Sequence, residues 1–167
     1  MSENTSGRYI KVVKTICIDA KRNNIKVSPQ LDSVKGFIKK TDKIILSLAE
    51  IELIENMEFK DEKLEIASRW LVIGCFLGQR VSDLLEITTD NLITKGGHRM
   101  VELTQQKTKK RISVLLHPRV ESVLSEYDGE FPPRLRDSKS SNKIIFNRLI
   151  KTVAKEAGIT EFTVFLF

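Results

Sequence analysis

Arg80 and Lys107 are the residues whose type and setting could do chemistry. Arg80 lies in Gly78-Gln79-Arg80-Val81-Ser82-Asp83-Leu84-Leu85, at the junction between one apolar segment and the next. A guanidinium held on rigid backbone at such a junction can be aimed at an anion, and its planar fork can grip two phosphodiester oxygens at once. Lys107 lies in Val101-Glu102-Leu103-Thr104-Gln105-Gln106-Lys107-Thr108-Lys109-Lys110-Arg111-Ile112-Ser113-Val114, which reads as a hairpin with a lysine near its turn. A lysine ammonium can protonate a departing 5′ oxygen, more readily where neighbouring cations disfavour its charge. Lys109 or Lys110 could occupy that reacting position instead. The pair suggests phosphodiester chemistry on DNA, with Lys109, Lys110 and Arg111 as further DNA-binding cations. Such chemistry also needs a nucleophile, either water on a metal or a side-chain hydroxyl.

The charge distribution points the same way. Residues 1–46 carry ten Lys/Arg and four Asp/Glu, residues 47–93 four and ten, residues 94–119 seven and one, and residues 120–167 seven of each. Two basic blocks flanking an acidic one suit a surface that faces a polyanion. The longest apolar run, around Trp70 to Leu77, is too short to span a bilayer, and the polar Met1-Ser2-Glu3-Asn4 start lacks a signal-peptide core. The expectation is a cytoplasmic protein with no membrane partner. Cys17 and Cys75 make no disulfide framework and read as buried thiols, while His98 and His117 are too few and too scattered for a metal site. No Asp/Glu/His cluster with metal-like spacing stands near Arg80 and Lys107, which disfavours a metal-dependent nuclease.

The elements that must position these residues read as mainly α with a small antiparallel sheet. Apolar spacing predicts a helix over residues 8–22, with nothing in a short N-terminal segment to pack against. Residues 23–46 read as a linker or short extended pieces. Ser47 with Glu50 forms a capping box for a helix running to Met57. Asp61 caps the next helix, which is apolar nearly all round and therefore central. Gly78 allows a positive φ at its end, and Val81 to Ile87 forms a short helix. Residues 99–104 and 111–117 alternate as strands, with Asn91-Leu92-Ile93 as a third before the Gly96-Gly97 turn. Pro118 opens a helix ending at Tyr127. Ser140 or Ser141 caps a last helix, stopped by Gly158. Trp70 and Tyr127 read as packing residues, Tyr9 lies on the N-terminal helix, and His98 and His117 read as surface or structural residues.

This order of helix, Gly-Gln-Arg-Val-Ser-Asp-Leu-Leu, strand, Gln-Lys-Thr-Lys-Lys hairpin and strand before a proline resembles the catalytic domain of the tyrosine recombinases, the phage-integrase family, over residues 47–160. Integrases carried by mobile genetic elements look most similar. The family's first arginine motif reads Gly-x-Arg-Ile-Ser-Asp/Glu-Leu, here from Gly78, and its hairpin often carries the catalytic lysine as Lys-Thr-x-Lys, here Lys107 to Lys110. The resemblance implies that Arg80 contacts the scissile phosphate, that Lys107 protonates the leaving oxygen and that Asp83 supports the site. It implies transesterification through a 3′-phosphotyrosine with no cofactor and no metal, double-stranded DNA as partner, and assembly with other recombinase protomers on DNA. By the same resemblance residues 1–24 end an N-terminal DNA-clamping (SAM-like) domain, residues 25–46 are a linker and residues 47–167 are a truncated catalytic domain. The family's His-x-x-Arg motif and nucleophilic tyrosine are missing: no histidine follows His117 and no tyrosine follows Tyr127. The expectation is therefore a recombinase fragment that does not cut DNA as this chain, with a non-catalytic DNA-binding remnant or regulator as the alternative.

Overall fold

The computed structural model describes residues 2–40 and 45–159, in two units, Met1–Asp42 and Lys43–Phe167. The apolar tail from Phe162 to Phe167 lies outside the described residues.

In the first unit, helix α1 spans Glu3–Arg22. It starts five residues earlier than the apolar spacing suggests, because the Ser2 hydroxyl accepts from the backbone of Thr5 and supplies an N-cap that periodicity does not register. Residues 25–40, expected as linker, fold back along this helix through a short 3-10 turn, Pro29–Ser33. Asn4 exchanges two hydrogen bonds with the backbone of Lys39, at 2.9 and 2.7 Å. Lys14 donates to the Val34 carbonyl at 2.7 Å. Gly7 is buried here, and a Cβ on it would sit 2.1 Å from the Phe37 carbonyl oxygen, so only glycine lets the two backbones approach. The helix thus does have something to pack against within its own unit. The contact uses Asn4, Gly7, Lys11 and Lys14, and leaves Tyr9, Val12, Val13 and Ile16 exposed.

The second unit is mainly helical with one three-stranded antiparallel sheet. Its elements are α2 (Leu48–Glu55), α3 (Glu62–Leu77), α4 (Val81–Leu84), β1 (Leu92–Lys95), β2 (His98–Thr104), β3 (Arg111–Leu115), α5 (Pro118–Glu126) and α6 (Lys139–Glu156). Helix starts follow local chemistry. Ser47 and Glu50 close a reciprocal capping box, and the Asp61 carboxylate accepts from Lys63 and Leu64. His117 caps α5 through Nδ1, which accepts from Arg119, and its ring stacks on Phe76 with centroids 4.2 Å apart. Helix α6 begins at Lys139 with Ser138 as its N-cap, two residues before Ser140 and three before Ser141, the expected caps. Helix α4 is shorter than Val81 to Ile87, helix α2 stops before Met57, and β3 ends at Leu115 rather than at residue 117.

Helix α3 is central, contacting α2, α5 and α6. Trp70 is 2% exposed. Its ring stacks on Phe131 at 5.8 Å and its indole N–H donates to the Pro133 carbonyl at 3.2 Å. Strand order is β1-β2-β3, with Leu92 opposite Val101 and Leu103 opposite Ile112. Two-residue alternation buries Val101 and Leu103 while leaving Glu102 on the other face, where it takes hydrogen bonds from Ser113 and Arg111. Cys75, expected as a buried thiol, is half-buried, as is Cys17. Among the described residues no helix is long and apolar enough to cross a membrane.

Candidate functional site

Gly78 ends α3 in the left-handed region, at φ 62°, a conformation that glycine adopts without steric penalty. The chain then turns sharply, and Arg80 becomes the N-cap of α4 in extended backbone, with its carbonyl accepting from Asp83 and Leu84. Arginine has no acceptor with which to cap a helix, so its side chain is left for other work. That side chain is 33% exposed, and Nη1 lies 3.9 Å from the Asp83 carboxylate. Asp83, one turn along, is almost fully buried, with its side chain 1% exposed.

The loop between β2 and β3 is docked onto this turn. The backbone N–H of Gln106 donates to Asp83 Oδ1 at 3.0 Å, and the Gln106 amide donates to the Ser82 carbonyl at 2.9 Å. Gln105 Nε2 donates to Gln79 Oε1 at 3.2 Å, and Arg80 Nη1 donates to Gln105 Oε1 at 3.4 Å. The loop itself is closed by Gln105 and Lys110 and by Lys109 and Gln105, each pair at 2.9 Å through backbone groups. Four hydrogen bonds from two consecutive glutamines therefore hold the lysine loop against the arginine turn. Since each buried polar group needs a partner, this docking also satisfies Gln79, which is buried.

Of the residues singled out by the sequence, the structure brings together Arg80, Asp83 and the base of the hairpin. Lys107, Lys109 and Lys110 stand exposed on the loop, and Lys109 adopts a positive φ of 56° at the tight end of the turn. Arg111 is paired with Glu102 across the β2–β3 ladder while its side chain remains largely exposed. The Arg111 hydrogen bond, followed by that of Ser113, holds the Glu102 carboxyl below its ordinary range. Tyr127 caps the end of α5 half-buried, and burial raises its hydroxyl pKa, as suits a packing residue. Among the described residues no group of three or more His, Cys, Asp or Glu could hold a metal ion.

Two contributions escaped the sequence reading. One is the set of glutamines at 79, 105 and 106; a lone uncharged amide between Gly78 and Arg80, and two more at a strand end, were the available signal. The other comes from α6. A cleft of about 190 Å³ opens beside Gln106 and Ser82, with Lys139, Ser140 and Lys143 on its far wall. Lys139 pairs with Glu86 at 2.6 Å, and Lys143 is exposed. This edge adds cations beside the hairpin from a segment whose charges balance overall. No family model, no curated protein and no solved structure matches this chain.

Proposed function

We propose that this protein binds the phosphate backbone of double-stranded DNA through Arg80 and the hairpin lysines, as a piece of a tyrosine-recombinase catalytic domain. One observation carries the reading: the Gly78–Asp83 turn and the 105–110 loop, far apart in sequence, are locked together by side-chain amides, with the partly exposed Arg80 at their junction. An arginine that can make a bidentate contact, next to flexible exposed ammoniums, is the donor set a phosphodiester requires. Its in-line chemistry would need charge stabilisation by Arg80 and a proton from Lys107, with Asp83 anchoring the loop rather than reacting. Tyr127 is half-buried at the end of α5, which suits packing rather than nucleophilic attack. On this reading the chain acts as a binding element rather than a strand-cleaving one.

The test has two arms. Labelled duplex DNA should bind with little sequence preference, and binding should weaken steeply as salt rises, because phosphate neutralisation releases counterions. A nicked suicide substrate should leave no label on the denatured protein, since a catalytic unit lacking one member loses most of its effect. Salt-independent binding would remove the electrostatic basis of the proposal. A covalent adduct abolished by Tyr127→Phe or Tyr9→Phe would overturn the assignment of this chain as non-cleaving.

A further inference from the structure

We infer that Gln105 is a positioning residue for Arg80, an inference that rests on the phosphate-binding reading above. Gln105 Oε1 is the hydrogen-bond acceptor that the Arg80 guanidinium reaches, at 3.4 Å, whereas the Asp83 carboxylate at 3.9 Å is beyond hydrogen-bond reach. That oxygen is itself held from two sides. Thr108 Oγ1 donates to it at 2.7 Å. The amide nitrogen of Gln105 donates to Gln79 Oε1, and Gln79 Nε2 in turn donates to the Leu77 carbonyl at 2.8 Å. A relay thus runs from the last turn of α3 through Gln79 and Gln105 to Arg80 and Thr108. Both glutamine amides are engaged through oxygen and nitrogen, which fixes their orientation.

Such a relay has a specific consequence. A free arginine side chain loses rotamer entropy when it is fixed, and ordering it before an anion arrives reduces what is lost on binding. The 3.4 Å contact is long, so a phosphate oxygen can displace it, unlike a bidentate carboxylate pair. Gln105 therefore holds Arg80 in place without neutralising it. Because Thr108 shares the same acceptor oxygen, the relay also ties the guanidinium to the loop that carries Lys107 and Lys109.

A double-mutant cycle on duplex DNA affinity tests this, with circular dichroism to establish folding. Gln105→Ala should weaken binding on the order of three- to tenfold in the wild-type background, and by less than about twofold when Arg80 is already alanine, because interacting sites are non-additive. Gln105→Glu retains an acceptor for Arg80 and Thr108 but loses the amide donor to Gln79 and adds a charge that competes with phosphate for the guanidinium. It should weaken DNA binding further than Gln105→Ala does in the wild-type background, and no further than Gln105→Ala when Arg80 is already alanine. Thr108→Val, a shape-conserving loop change, should show the same coupling to Arg80 with a smaller factor. Equal losses from Gln105→Ala in both backgrounds, or no loss, would overturn the positioning role while leaving phosphate binding intact. If Arg80→Ala alone leaves affinity unchanged, the phosphate-binding reading itself fails, and the relay with it.

Discussion

Arg80→Ala is the perturbation whose outcome the geometry constrains best. In the free protein the guanidinium donates one long hydrogen bond, to Gln105, and lies 3.9 Å from Asp83. Leaving the Gln105 contact costs about 0.5–1.5 kcal/mol, the net value of an ordinary intramolecular hydrogen bond. A charge-assisted contact to a phosphate returns about 1.5–3 kcal/mol. The difference, roughly 1–2 kcal/mol, corresponds to about a five- to thirtyfold loss of duplex affinity in the alanine variant. The assay is fluorescence anisotropy with labelled duplex, repeated between about 50 and 200 mM salt. One lost phosphate contact should flatten the log–log salt slope by about 0.9. Arg80→Lys should restore that slope and only part of the affinity, since an ammonium keeps the charge but not the fork. Removing Arg80 leaves the buried Asp83 with the Gln106 N–H alone, so the melting temperature must be followed in parallel and binding measured well below it. Unchanged affinity and unchanged slope in a folded Arg80→Ala protein would refute the assignment of this guanidinium to a phosphate.

Three further outcomes follow from the packing and the titrating groups. Trp70→Ala should destabilise the protein by about 3–5 kcal/mol in denaturant unfolding, since it removes a large side chain that is 2% exposed together with its bond to Pro133; a loss under ~1 kcal/mol would mean that α3 is not the centre of the core. The Glu102 carboxyl is held below its ordinary value of 4.5, chiefly by the Arg111 hydrogen bond. Its contribution to stability is therefore full above that value and fades as pH falls through the lowered one, so Glu102→Gln should flatten the acid limb of a stability-versus-pH curve, and an unaltered limb would count against the pairing. Burial, aided by Glu55, pushes the Cys75 thiol up to about 11. At pH 8 only about one molecule in a thousand then carries the thiolate. Iodoacetamide should label Cys75 slowly in the native protein and fast in urea, and native labelling at the unfolded rate would contradict the burial.

Where a decision was made by neighbours in sequence, it could be read from the sequence. Ser47 with Glu50, Asp61, Gly78 and Pro118 each act within one turn of a helix, and each stands where expected. The alternation of Val101 and Leu103 with Glu102 and Thr104 likewise sets the face of β2, because a strand has only two faces. The fold-back of residues 25–40 was not legible. It depends on Gly7 admitting the Phe37 carbonyl, a contact between distant residues with no periodic trace. The start of α6 was ambiguous for the opposite reason: Ser138, Ser140 and Ser141 all offer a local cap by type, and the helix starts after Ser138, whose hydroxyl makes no capping hydrogen bond.

The site divides in the same way. The spacing of Arg80 and Asp83 announced a pair, but nothing in the sequence announced that two glutamines would dock the lysine loop onto them. Charge shows most clearly what the fold adds. Several carboxylates of the acidic block are taken up by cations brought from elsewhere: Glu52 and Glu55 by Arg119, Glu86 by Arg134 and Lys139, while Glu65 pairs with Arg69 on its own helix. Lys107, Lys109 and Lys110 receive no carboxylate partner among the described residues, although ten acidic residues lie in the block that carries the turn they dock against. Folding thus pairs several carboxylates of the acidic block and leaves the hairpin lysines without a carboxylate partner beside Arg80, whose nearest carboxylate, Asp83, is 3.9 Å away. On the reading proposed above, these exposed hairpin charges are available to an arriving phosphate without first breaking an ion pair.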